Sequence, residues 1–110
     1  MAEVDFPKVY RSIREKHGHY MAAVEELGKV LREEGPLDEK TSQFIQLAAA
    51  ATIRSEGAVH SHVRRALKLG AKPEEVYHTL ILLTSTIGFP TVAAALSWVE
   101  DVIQELGAYP

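Results

Sequence analysis

Cysteine is absent from the 110 residues, and this one absence removes a whole class of chemistry. Without a thiol there is no disulfide, no thiolate metal ligand and no sulfur nucleophile. The redox compartment stays open, since a thiol-free chain suits either. An excess of one charge is also missing: 12 Lys and Arg against 15 Asp and Glu leave a net charge of −3. Nucleic-acid binding asks for a concentrated basic footprint, and here the cations are interspersed with glutamates as on solvated helix faces. Long apolar runs are lacking too, since QLAAAAT and TLILLT fall short of a bilayer-spanning length. The N-terminus MAEVDFPK is acidic and has no apolar stretch of the kind a secretory leader carries. These absences set the expectation of a cytoplasmic protein with neither a nucleic-acid nor a membrane partner.

What is present is enough for one core. Hydrophobic residues make up 46% of the chain. The length implies a single domain over residues 1–110, small enough for association with copies of itself to help bury apolar surface.

Proline, glycine and capping residues punctuate the chain. Phe6-Pro7 opens a segment that runs to His17-Gly18 with Val9, Tyr10 and Ile13 on one face. Tyr20, Val24, Leu27 and Leu31 then recur at helical spacing, and EEGP ends that helix. Asp38 is placed to cap the next one, with Glu39 in its first turn and Phe44, Leu47, Ala48 and Ala51 as its apolar stripe. Ser55 and Gly70 have the residue types that start and stop a fourth helix. Pro73, followed by two glutamates, starts a fifth, which runs to Gly88. Pro90 opens the last, with Val92, Ala95, Leu96, Val99 and Ile103 facing inward and Leu106-Gly107 at its end. TLILLT is the one run a strand would also suit, but it follows a clear helix start. The expected fold class is all-α, about five or six helices joined by the short connections of packed bundles.

The chemistry-bearing residues crowd into RSEGAVHSHVRRALKLG, Arg54 to Gly70. Each helical residue advances about 100°, so His60 stands with Glu56 and Arg64, while His62 stands with Ser55, Ala58 and Ala66. Glu56 is placed to orient His60, and the small residues beside His62 leave room for a ligand or a neighbouring helix. The bland alternatives are a surface ion pair of little energetic value for His60 and an interface or core imidazole for His62. Metal ligands must converge, and an i, i+2 pair on one helix does not, so no metal and no cofactor are expected. A site assembled by His60, His62 or His78 from adjacent subunits is the weakest of the readings. His17 and His19 read as local surface groups. Trp98, at helical spacing with Ala94 and Val102, reads as core or subunit contact.

From Leu37 to Gly107 the sequence resembles the carboxymuconolactone decarboxylase and alkylhydroperoxidase D-like (AhpD-like) family. The resemblance rests on His62, Arg64, Ala66 and Leu67, on the GAKPEE start at Gly70 to Glu75, and on the hinge at Gly88 and Pro90. The redox branch of that family carries a glutamate, a CxxC and a histidine. Those positions fall here on Gln43, Ser55, Ala58 and His62, so the histidine alone survives. A peroxidase or disulfide reductase of that branch needs a low-pKa thiolate and a resolving thiol, and this chain has neither. The decarboxylase branch has a pattern similar to Glu56, Gly57, His62 and Arg64. The resemblance implies an all-helical bundle that assembles as a homo-oligomer, trimer or hexamer. It implies a cofactor-independent lyase acting on a small carboxylate or lactone. His62 would move a proton, with Glu56 and His60 as an orienting pair, Arg64 or Arg65 holding the carboxylate, and Gln43 and Ser55 beside the substrate. The competing expectation is a non-catalytic oligomeric module of the same fold that binds a small anion or a partner. Loss of every thiol and of the glutamate motivates it.

Overall fold

In the computed structural model, which describes residues 8–107, seven helices follow one another along the chain. They are α1 (Lys8–Lys16), α2 (Gly18–Glu33), α3 (Glu39–Thr52), α4 (Glu56–Lys68), α5 (Pro73–Ile81), α6 (Thr84–Ile87) and α7 (Phe89–Leu106). No strand occurs among the described residues, so the fold is all-α. No helix among them is long and apolar enough to cross a membrane. Phe6 and Pro7, expected to open the first helix, lie outside the described residues.

The contacts divide the chain into two compact units, with the boundary in sequence at Glu39 and Lys40. In the first, α1 packs on α2 and Arg14 forms an ion pair with Glu25. The apolar stripe of α2 is largely solvent-accessible in the single chain: Tyr20, Val24, Leu27 and Leu31 are all exposed, while Met21 is buried. His17 and His19 line a shallow open depression at the α1–α2 junction with Lys16, Gly18 and Tyr20.

The second unit holds the core. Leu47, Ala50 and Ala51 of α3 join Val59, Val63 and Ala66 of α4, Val76 and Leu80 of α5, and Ala95, Val99, Val102 and Ile103 of α7. Most of these side chains are alanine or valine, which lets helix axes approach closely. Phe44, Leu96 and Trp98 pack against the cluster from its edge, so Trp98 is a core-margin residue.

The ends of α4 follow from local chemistry. The Ser55 side chain accepts the Ala58 backbone N–H at 3.4 Å, in extended backbone just before the helix. At the other end the Ala71 N–H reaches Ala66 C=O and the Gly70 N–H reaches Leu67 C=O, each at 3.0 Å. This is a Schellman turn, and Gly70 takes the left-handed backbone that it requires. Helix α5 starts at Pro73, and the Glu75 carboxylate turns back to accept the Lys72 N–H at 2.9 Å. That bond, with the Lys40 ammonium 3.6 Å away, holds the Glu75 carboxyl below its ordinary range.

Two local features depart from expectation. The segment from Pro73 to Gly88 is not one helix but two, α5 and α6, broken at Leu82-Leu83. There the Leu83 N–H bonds Leu80 C=O, a tighter i to i−3 step, and the Thr84 hydroxyl donates to Ile81 C=O at 2.7 Å. Side-chain hydroxyls that claim helix carbonyls favour such breaks. The second feature is at the α3–α4 junction. Arg54 N–H bonds Ala51 C=O and Ser55 N–H bonds Ala50 C=O, another Schellman turn, with Arg54 at φ 59° where glycine is the usual occupant. Left-handed backbone costs a residue with a Cβ about 1–2 kcal/mol, partly offset by glycine's larger unfolded-state entropy. Arg54→Gly is therefore expected to raise stability by about 0.5–1 kcal/mol in urea denaturation. A loss instead would show that the Arg54 side chain makes a contact worth more than the strain.

Candidate functional site

Helix α4 presents different residues to different neighbours, and this separates its two imidazoles. His62 faces α3: its Nδ1 lies 2.8 Å from Gln43 Oε1. Gln43 is only 3% exposed, whereas His62 is half-buried and so reachable from solvent. A carbonyl oxygen can only accept, so with the amide placed this way Nδ1 donates. The ring is thereby oriented with Nδ1 toward Gln43 and Nε2 as its second nitrogen.

His60 faces the other way. Its Nε2 is 3.7 Å from Glu56 Oε2, one turn earlier on α4, and both residues stand beside Asp101 of α7. A turn further along, Arg64 forms an ion pair with Glu105, a turn beyond Asp101 on α7. The two helices thus advance in the same direction, with Glu56, His60 and Arg64 set against Asp101 and Glu105.

Of the residues singled out in the sequence, the structure brings Gln43 to His62 and Glu56 to His60, but the two pairs stand against different helices. Ser55 caps α4 and, seven residues before His62, falls on the same side of the helix. Arg65, three residues after His62, shares that side and is half-buried. Arg64 belongs with His60 and α7. Sequence reasoning missed Asp101 and Glu105. Their i, i+4 spacing matches that of His60 and Arg64 with complementary charge, and this was the available signal.

The Arg64–Glu105 pair is uneven. The Arg64 side chain is 12% exposed and its Nε and Nη1 atoms are buried without a hydrogen bond, while Glu105 is 55% exposed. Removing one partner of a buried pair costs about 3–5 kcal/mol, and the exposure of Glu105 reduces this, so Glu105→Ala is expected to cost about 1–3 kcal/mol. Arg64→Met, which removes the charge and keeps the stem, should stay within about 1 kcal/mol of the parent. Equal losses in urea denaturation would show that the ion pair itself contributes net stability, and that the cost of Glu105→Ala is not simply that of an uncompensated buried charge.

Comparison with known proteins agrees with the resemblance and extends it. The model of the carboxymuconolactone decarboxylase family matches residues 18–101, which reaches N-terminally of Leu37 to take in α2. An uncharacterized protein of Methanocaldococcus jannaschii is 26% identical over 102 residues, covering 93% of this chain and 95% of that one. A carboxymuconolactone decarboxylase family protein from Legionella pneumophila superposes with a TM-score of 0.69 at 27% identity, over 84% of this chain and 85% of its own. A family protein from Thermotoga maritima superposes at 0.67 with 19% identity, over 93% and 97%, a likeness of fold. With the family model matching residues 18–101 and no thiol anywhere in the sequence, this chain belongs to the carboxymuconolactone decarboxylase family as a member without the redox CxxC.

Proposed function

We propose that the chain is a cofactor-independent lyase that removes CO2 from a small carboxylate or lactone, with His62 as the proton-transfer group. The observation that carries this is the Gln43–His62 hydrogen bond at 2.8 Å. The buried Gln43 carbonyl oxygen accepts from Nδ1, which holds the ring and leaves Nε2 as the nitrogen that exchanges a proton with substrate. In the step, the bond between the substrate carbon and its carboxylate breaks. The electron pair moves into the conjugated carbonyl, and the resulting enolate carbon takes the proton from His62 Nε2. The ring is left neutral, with Nδ1 still donating to Gln43. Arg65 is the arginine placed for the substrate carboxylate, because it shares His62's side of α4 while Arg64 is engaged by Glu105. Ser55, on the same side, supplies a hydroxyl near the start of the helix. Glu56 and His60 stand apart from this step, against α7. Exposed apolar residues along α2 support assembly as a homo-oligomer.

The test is direct. Purified protein is incubated with a panel of small lactones and keto acids, and CO2 release and substrate loss are followed. Conversion of at least one compound is expected. The competing reading, a non-catalytic module that binds a small anion, draws support from the amide at position 43, which cannot carry the charge of a glutamate. That reading predicts thermal shifts with members of the panel and no product from any of them.

A further inference from the structure

The seam between α4 and α7 carries a cluster that the proposed reaction does not use. Glu56 and His60 from α4 and Asp101 from α7 each bring one donor atom to a common point, and these atoms all lie within 4.8 Å of one another. His60 Nε2 is itself buried at the atomic level and has no hydrogen-bond partner. The nearest acid oxygen there, Glu56 Oε2 at 3.7 Å, is too far for a hydrogen bond. A ring nitrogen withdrawn from water and left unsatisfied beside two carboxylates is a costly arrangement unless something else joins them.

The spacing matches a cation better than a proton. Donors bound to one zinc at about 2.0–2.2 Å stand about 3–4 Å from each other, and the 3.7 Å between His60 Nε2 and Glu56 Oε2 falls in that range. We infer that Glu56, His60 and Asp101 form a binding site for a divalent transition-metal ion bridging α4 and α7. The imidazole selects against magnesium and calcium, and the lack of thiolate selects against copper(I). Two carboxylates with a neutral imidazole balance a divalent charge. Glu56 and Asp101 are exposed, so water completes the coordination from the solvent side. The one cationic side chain on the next turn of this seam, Arg64, has Glu105 against it. Sequence spacing alone does not reveal such a site. The third ligand comes from a different helix, and His62, two residues along from His60, faces α3.

The site is tested on tag-free, EDTA-stripped protein titrated with zinc or cobalt(II) alone by calorimetry. One ion per chain is expected, and at a hundredfold excess over Kd the melting temperature should rise by about 5 °C or more. His60→Ala should abolish saturable binding, and Asp101→Asn should weaken it about 10- to 100-fold. His78→Ala, outside the cluster, should bind like the parent. Asp101 is solvent-exposed and Asn is isosteric, so this variant folds even if His60→Ala does not. The inference is overturned if the parent shows no saturable binding up to about 1 mM ion. It is equally overturned if binding persists undiminished in Asp101→Asn, since the ion is then held by other histidines.

Discussion

Alanine in place of His62 is expected to lower turnover of a converted lactone or keto acid by about 10²–10⁴-fold, the usual contribution of a positioned acid or base. The fold should survive the change. His62 is half-buried and lies outside the core cluster, so the main structural loss is the hydrogen bond to Gln43. Leaving the buried Gln43 carbonyl without its donor costs about 1–3 kcal/mol, small enough for circular dichroism at room temperature to show a native helix content. Gln43→Glu refines the test. A carboxylate still accepts from Nδ1 and adds a charge that favours the protonated ring, so the pH–rate profile should move to higher pH. If His62→Ala converts the same compound at the parental rate, the proton-transfer role fails. If Gln43→Glu leaves the profile where it was, the 2.8 Å bond does not govern the ring.

Leu47→Ala should have the largest effect on stability. Leu47 is fully buried in α3, among Ala50, Ala51, Val59 and Val63. Deleting a buried isobutyl group costs about 2–5 kcal/mol, depending on how far the surroundings collapse into the space. Alanine and valine neighbours reach no further when a void opens beside them. Collapse would need a shift of whole helices, so the cost should lie in the upper part of that range. Set against a total stability of about 5–15 kcal/mol, this is a large share, and the melting temperature should fall by about 10–20 °C. Leu82→Ala, at an exposed position, is the matched control and should change little. If Leu47→Ala costs under about 1 kcal/mol, the core around Leu47 is looser than its complete burial implies.

Much of the helical order was legible because its signals are local. Ser55, Gly70 and Pro73 bound α4 and the start of α5 through capping and turn geometry that involves only near neighbours. On α7 helical periodicity found Val92, Ala95, Val99 and Ile103, all buried, while Leu96 packs at the edge of the core and the buried Val102 was not among the inward residues read. The break at Leu82-Leu83 was not legible, because TLILLTSTIG contains no glycine or proline until its end. The site divides along the same line. Glu56 and His60 are one turn apart, and their pairing follows from spacing alone. The Gln43–His62 bond and the approach of Asp101 and Glu105 to α4 join residues far apart in sequence. Only the family resemblance hinted at the first of these, by setting Gln43 and His62 at positions of one sequence pattern.

The three residues that join α3 to α4, Ile53 to Ser55, behave as an angular gauge for the whole arrangement. His60 and His62 point about 200° apart around one axis, so the imidazole that meets α3 depends on where the winding of α4 begins. One residue added to that joint would turn the helix by about 100°, and Val59 and Val63 could stay in the core only if the joint itself unwound. Natural or engineered length changes at this point would trade one histidine environment for another. A change of side chain at Arg54 would leave the phase untouched.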